Sequence, residues 1–155
     1  MTDDIALDIL LNIMRVVFDS NILVAGLCSK RGASHGLLRH ALVRRLHLLA
    51  APALWLEYES VLKRPEMQRM HGLSGSDVDV FLDALAILVE PVSLHYRWRP
   101  QLRDPKDEMV LETALNASAD ALVTFNQRDF LPAAEHFGLR LLLPATCLAL
   151  LKGMP

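Results

Sequence analysis

The chain has 155 residues, 52% of them hydrophobic and 22% charged, with only 7 Gly and 8 Pro. That is the size and composition of one globular domain with a substantial core, and it excludes fibrous, low-complexity and disordered classes. A net charge of −2 supplies no global attraction for polyanions, which argues against a passive, charge-driven nucleic-acid binder.

Cys28 and Cys147 are the only cysteines and stand far apart, so neither a disulfide framework nor a zinc-ligand spacing is indicated. Segment 5–14, IALDILLNIM, contains Asp8. It is too short for a membrane span and lacks the basic start and cleavage site of a signal peptide. The expectation is a cytoplasmic protein with no membrane partner, in which residues 1–14 form an N-terminal extension and residues 15–155 a single domain.

The first element expected is a strand at 15–19, RVVFD, a short apolar and β-branched run suited to a buried parallel strand and ending in Asp19. Over 33–46 the positions Leu37, Leu38, Ala41, Leu42 and Leu46 follow helical spacing, with Arg39, Arg44 and Arg45 opposite, which predicts an amphipathic helix. Pro52 suits the first turn of a helix over 52–63, and Arg64-Pro65 interrupts the pattern. A helix over 75–88 leads to a brief strand near 89–92, whereas 93–103 has no clear period.

Asp104-Pro105 opens a helix reaching about residue 117, with Val110, Leu111, Ala114 and Leu115 on one face, followed by an apolar strand at 121–124. A last strand at 139–143 precedes Pro144 and a final helix. Apolar strands alternating with helices specify an α/β fold, a three-layer α/β/α sandwich around a mainly parallel sheet, with ligands gathered beyond the carboxyl ends of the strands.

Several acids fall where this architecture places chemistry. Asp19 ends the first strand, Asp129 follows strand 121–124, and Asp104 and Asp107 begin the helix that connects to it. On helix 52–63, Leu54, Tyr58, Val61 and Leu62 define the apolar face; Glu57 lies about 80° from its centre and Glu59 about 120° away. Glu57 is therefore nearer the buried boundary. Carboxylates sharing a pocket repel one another, and burying them unpaired is expensive, so a cation is the natural compensation. An all-oxygen set completed by water and substrate phosphate suits Mg²⁺ or Mn²⁺, and phosphodiester hydrolysis is the reaction class that follows.

Each acid also has a plainer role open to it. Asp104 is a good helix N-cap, with Asp107 three residues on able to complete a capping box. Glu57 suits a solvated helix position, and Asp129 a cap for the turn before Leu131-Pro132. Asp19 is hardest to assign this way, because an acid ending a buried strand needs a partner.

Val16-Val17-Phe18-Asp19-Ser20-Asn21-Ile22-Leu23-Val24 resembles the opening motif of PIN domains, a strand ending in Asp-x-Asn before apolar residues. LWLEYESVLKRP, from Leu54 to Pro65, resembles the family's Glu-bearing helix, and DPKDEMVLETA, from Asp104 to Ala114, its Asp-led helix. Val123-Thr124-Phe125-Asn126-Gln127-Arg128-Asp129-Phe130 resembles its closing Val-Thr-x-Asn-x-x-Asp-Phe motif. Four motifs in order, over residues 15 to about 148, are specific as an ensemble. The resemblance is to bacterial PIN proteins assigned as toxins of toxin-antitoxin modules.

This resemblance implies a PIN-like fold and a Mg²⁺- or Mn²⁺-dependent endoribonuclease. Asp19, Glu57, Asp107 and Asp129 would be catalytic and metal-site carboxylates, and Asp104 an extra acid of one branch of the family. Ser20, Asn21 and Thr124 would be polar supports. Asn126 stands where many relatives carry another Asp, which bears on how many metals bind. RNA as substrate, an antitoxin partner and a homodimer are implied in the same way.

Two alternatives accompany that reading. Haloacid-dehalogenase-like phosphatases also place an Asp after the first strand and use Mg²⁺, but want a second Asp where Asn21 stands. A non-catalytic PIN-like module would bind RNA or protein without cleavage, yet all four expected acids are present. Arg39 on the basic helix, together with Arg97, Trp98 and Arg103, are candidates for RNA contact, with a solvated face the commoner cause of such charge runs. Trp55 lies near an apolar face and suits packing. No His pair has metal-ligand spacing, and no phosphate-binding Gly-rich loop, serine-nucleophile elbow or dinucleotide fingerprint is present.

Overall fold

The structure is a computed structural model that describes residues 13–153. Most of the expected N-terminal extension therefore lies outside the described residues. Met14, placed in that extension by the sequence, instead opens the first strand, β1 (Met14–Phe18). Its backbone pairs with Leu46, which gives it a place in the sheet.

After β1 come α1 (Ser20–Cys28), α2 (Ala33–Leu42), β2 (Leu46–Ala50), α3 (Pro52–Leu62), α4 (Pro65–His71) and α5 (Gly75–Ala86). Then follow β3 (Glu90–Pro91), α6 (Pro105–Asn116), β4 (Ala121–Val123), α7 (Gln127–Phe137), β5 (Leu141–Leu142) and α8 (Pro144–Lys152). The five strands form one sheet in the order β3-β2-β1-β4-β5, with every pairing parallel.

Val16, Val17 and Phe18 are consecutive in β1 and all fully buried, as are Leu122 and Val123 in β4. Successive strand residues point to opposite faces, so both faces of the sheet are covered by helices, as the expected three-layer α/β/α sandwich requires. The core extends from these strands to Ile22 and Leu23 of α1, Leu54 and Tyr58 of α3, and Phe130 of α7. Trp55 packs edge-on to Tyr58 with ring centroids 5.9 Å apart, in keeping with a packing role. Cys147 is buried and Cys28 exposed, both as free thiols.

The helix expected over 33–46 stops at Leu42. Arg44 adopts φ +63°, a left-handed conformation that ends a right-handed helix, and Leu46 begins β2. That strand was invisible as such because its apolar residues are buried on both faces and show no alternation. Pro65 does more than interrupt: it occupies the first turn of α4, where its missing N–H costs nothing. The region of Asp129, expected as a turn, is the first turn of α7, which runs through Pro132 because Phe130, Ala133 and Ala134 bury one face.

Segment 93–103 has neither helix nor strand but is tied to α6. Glu108 accepts backbone N–H bonds from Gln101 (2.6 Å) and Leu102 (2.7 Å). Glu112 pairs with Arg99, and Asn116 Oδ1 accepts from the backbone of His95 and Tyr96. The spacing i, i+4, i+8 puts all three side chains on one face of α6, so this face anchors a strap across the edge of the fold.

Candidate active site

β2 and β4 leave β1 on opposite sides, so the sheet has its switch point at the carboxyl ends of β1 and β4, where a crevice forms in parallel α/β sheets. Asp19 and Thr124 sit at those two ends. The Asp19 backbone N–H donates to the Val123 carbonyl at 3.0 Å, extending the β1–β4 ladder, and the residue then becomes the N-cap of α1.

Asp19 is only 6% exposed. Its Oδ1 accepts from the Ser20 backbone N–H at 2.8 Å and its Oδ2 from the Thr124 hydroxyl at 2.7 Å. The same Thr124 oxygen accepts from the Asn126 backbone N–H at 3.0 Å, fixing the turn after β4. Among the described residues no cation pairs with Asp19. Burial raises its carboxyl above the usual range, the Thr124 and Ser20 bonds oppose that, and the charges of Asp129 and Asp104 add to it. Tyr58, fully buried, donates its hydroxyl hydrogen to the carbonyl of Phe18 and so holds the strand end that carries Asp19.

Asp104 is the N-cap of α6 and accepts from the Lys106 backbone N–H at 2.9 Å, so its capping role is realised. Asp107 makes no such bond back and faces the cleft. Burial first, then the charges of Asp19, Asp104, Asp129 and Glu108, push the Asp107 carboxyl up to about 6. This is what like charges crowded around a partly desolvated site produce.

Glu57 comes from α3 with its side chain 16% exposed, against 47% for Glu59, in the order expected from the helical wheel. Arg64 and Lys106 stand 3.6 and 3.8 Å from Glu57 Oε1. The cleft has two lobes. One, of 440 Å³, is lined by Asp19, Ser20, Asn21, Glu57, Asp104, Asp107 and Asn126. The other, of 450 Å³, shares Asp104 and Asp107 and adds Arg103, Arg128 and Asp129. All five acids singled out in the sequence therefore line two adjoining lobes that share Asp104 and Asp107.

The four residues proposed for RNA contact do not stay together. Arg103 lines the second lobe, and Arg39 lines a separate groove. Arg97 and Trp98 border neither lobe. Trp98 packs against Tyr96 and Phe137, at ring-centroid distances of 5.8 and 5.4 Å, so its ring is already engaged in an aromatic cluster. Conversely, the sequence alone marks neither Arg64 nor Arg128, which also line the cleft. Arg64 follows the helix that carries Glu57 by two residues, and Arg128 adjoins Asp129, which is the signal that points to them.

Asn21 Oδ1 is buried at the cleft with no hydrogen-bond partner among the described residues. That orphaned acceptor and the unpaired carboxylates make an all-oxygen donor set suited to a hard divalent cation. Among the described residues no three acids form a ready metal-ligating group. Mg²⁺ is commonly held by one or two carboxylates with water and substrate phosphate completing its shell, so the residues fit such an ion.

No curated protein matches the chain. A family model described as PIN domain matches residues 15–128, which includes Asp19, Glu57, Asp104 and Asp107 and stops one residue before Asp129. This match also sets aside the phosphatase alternative, in line with Asn21 standing where that class wants a second Asp. With the all-parallel sheet and its acid-lined switch point, the match establishes that the chain belongs to the PIN-domain family, whose members are generally nucleases.

Proposed function

We propose that this protein is a Mg²⁺- or Mn²⁺-dependent endoribonuclease and the toxin component of a toxin-antitoxin module. The observation that carries the nuclease reading is the convergence of Asp19, Glu57, Asp104 and Asp107 on one lobe beside the ends of β1 and β4. The RNA substrate, antitoxin partner and homodimer rest on the family resemblance, and the cytoplasmic location on the sequence reading of segment 5–14 and the two cysteines.

Of Asp19, Glu57, Asp107 and Asp129, with Asp104 beside them, one or two would hold the ion directly and the others through its water shell. When bound, the ion supplies activation of water and stabilisation of charge on the phosphoryl group. Thr124 and the Ser20 backbone orient the Asp19 carboxylate, and Tyr58 fixes the strand that presents it. Arg64 and Lys106 neutralise Glu57 in the metal-free protein and, placed in the same lobe, offer cationic groups to an entering phosphate. Arg128 and Arg103 offer cationic groups in the second lobe.

The test incubates purified protein with single-stranded RNA and DNA in the presence of Mg²⁺, Mn²⁺ or chelator. RNA is cut with either metal and not with chelator, and Asp19→Asn abolishes cutting without loss of fold. Full metal-dependent cleavage by Asp19→Asn refutes the assignment, and RNA binding with no cleavage under any metal favours the non-catalytic module.

A further inference from the structure

We propose that the groove between the α1–α2 turn, α2 and the end of α8 is a second site, separate from the acid cleft, that binds the phosphate backbone of RNA flanking the point of cleavage. The choice of RNA as occupant rests on the nuclease reading above; the cationic nature of the groove does not.

The charge is segregated in sequence before it is gathered in space. Between Asp19 and Glu57 there is no Asp or Glu, while Lys30, Arg31, Arg39, Arg44 and Arg45 all fall there. A chain of net charge −2 thus has one wholly cationic stretch. The fold brings Lys30, Arg31, Arg39, Arg45 and, from the far end of the chain, Lys152 around a groove of 630 Å³. Among the described residues no carboxylate lines it, and none of the five forms an ion pair.

Cations left unpaired side by side repel one another, and an anion relieves that repulsion. His40 registers it: after burial, the charges of Arg45 and Lys152 hold its imidazole below the usual range. His35 also lines the groove, as do Gly32 and Gly36. Gly32 is the N-cap of α2 and supplies no side-chain cap, so the positive end of that helix adds to the field.

Position decides between a free anion and a chain of phosphates. α1 starts at the acid cleft, where Asp19 caps it, and its last residue, Cys28, lines the far end of the same lobe. Lys30, two residues on, lines the cationic groove. Nine helical residues separate the two ends by about 13 Å, a distance that a few nucleotides span. A strand of RNA with one phosphate at Asp19 and Asp107 can therefore run along α1 into the groove. The lining is polar apart from Val43 and Leu148, which suits a phosphate backbone better than the apolar anchors of a folded protein partner.

The test measures binding of a labelled single-stranded RNA of about 20 nucleotides by fluorescence anisotropy in chelator, over a range of salt. The Lys30→Gln/Arg31→Gln/Arg45→Gln variant should bind about 10-fold more weakly or worse, with its log–log salt slope reduced by about 2, since each lost single-strand contact removes about 0.7. Cutting of a dinucleotide, whose single phosphate cannot occupy both sites, should remain at wild-type rate with Mg²⁺. A Lys30→Arg/Arg31→Lys/Arg45→Lys variant, which keeps the charge, should bind like wild type.

Unchanged affinity and salt slope in the Gln variant overturn the proposal, as does equal loss in the charge-keeping variant. Competition by polyglutamate as effective as by unlabelled RNA overturns RNA as the occupant. Groove-dependent binding by a protein that cuts nothing supports this site and defeats the nuclease reading. Normal cutting with groove-independent binding does the reverse.

Discussion

Asp107→Asn should stabilise the metal-free protein while removing its activity. The Asp107 carboxyl is raised from 3.8 to about 6 by burial and by its acidic neighbours. At 1.36 kcal/mol per unit, that shift corresponds to about 3 kcal/mol of disfavoured ionisation. Water around this partly exposed group screens about half of it, and loss of the favourable charge at the first turn of α6 returns about 0.3–1 kcal/mol. The net gain expected at neutral pH or above is about 1 kcal/mol, or about 2–4 °C in melting temperature for a domain of this size.

The sign with pH follows from linkage. In the folded chain Asp107 releases its proton near 6 and in the unfolded chain near 3.8, so in that window the folded state binds more protons. Wild-type stability therefore falls as pH rises from about 3.8 to about 6. The neutral Asn lacks this dependence, so its advantage is nil at the bottom of the window and full above it.

Urea unfolding in chelator at pH 4, 5, 6 and 8 measures this directly. Saturating Mg²⁺ should then stabilise wild type more than the variant, by mass action on a site the variant has weakened. If Asp107→Asn is no more stable than wild type at pH 8 in chelator, or its advantage does not grow between pH 4 and 6, the crowding of charge at this cleft is not as described.

Glu57→Gln should impair cleavage while Glu59→Gln is nearly silent, since only the former lines the cleft; equal rate losses in both would refute the face assignment. Tyr58→Phe leaves the Phe18 carbonyl without its buried donor and should cost about 1–2 kcal/mol in urea unfolding, whereas an unchanged midpoint would show that the bond contributes nothing. Glu108→Ala frees the backbone N–H groups of Gln101 and Leu102 and should make the strap at 93–103 more readily cut by trypsin at Arg97 or Arg103. A cutting rate equal to wild type would show that the strap is held elsewhere.

Local chemistry made much of the candidate site legible in the sequence alone. An apolar, β-branched run that ends in Asp19 specifies a buried strand with an acid at its tip, Pro105 after Asp104 specifies a capped helix start, and helical spacing separates Glu57 from Glu59. These features depend on neighbours within a turn or a strand length, where the backbone periodicities of 3.6 and 2 apply. Tertiary packing decided the rest. Leu46–Ala50 is a strand because β1 lies beside it, although its leucines fit a helix as well. Glu108, Glu112 and Asn116 reveal their role only when segment 93–103 folds back on them. Arg39 and Arg103 looked alike as basic residues, but packing of α2 on α8 puts one in a separate groove, and the strap puts the other beside Asp129. Which charges meet is a long-range outcome, because side chains far apart in sequence converge only after the sheet order has been set.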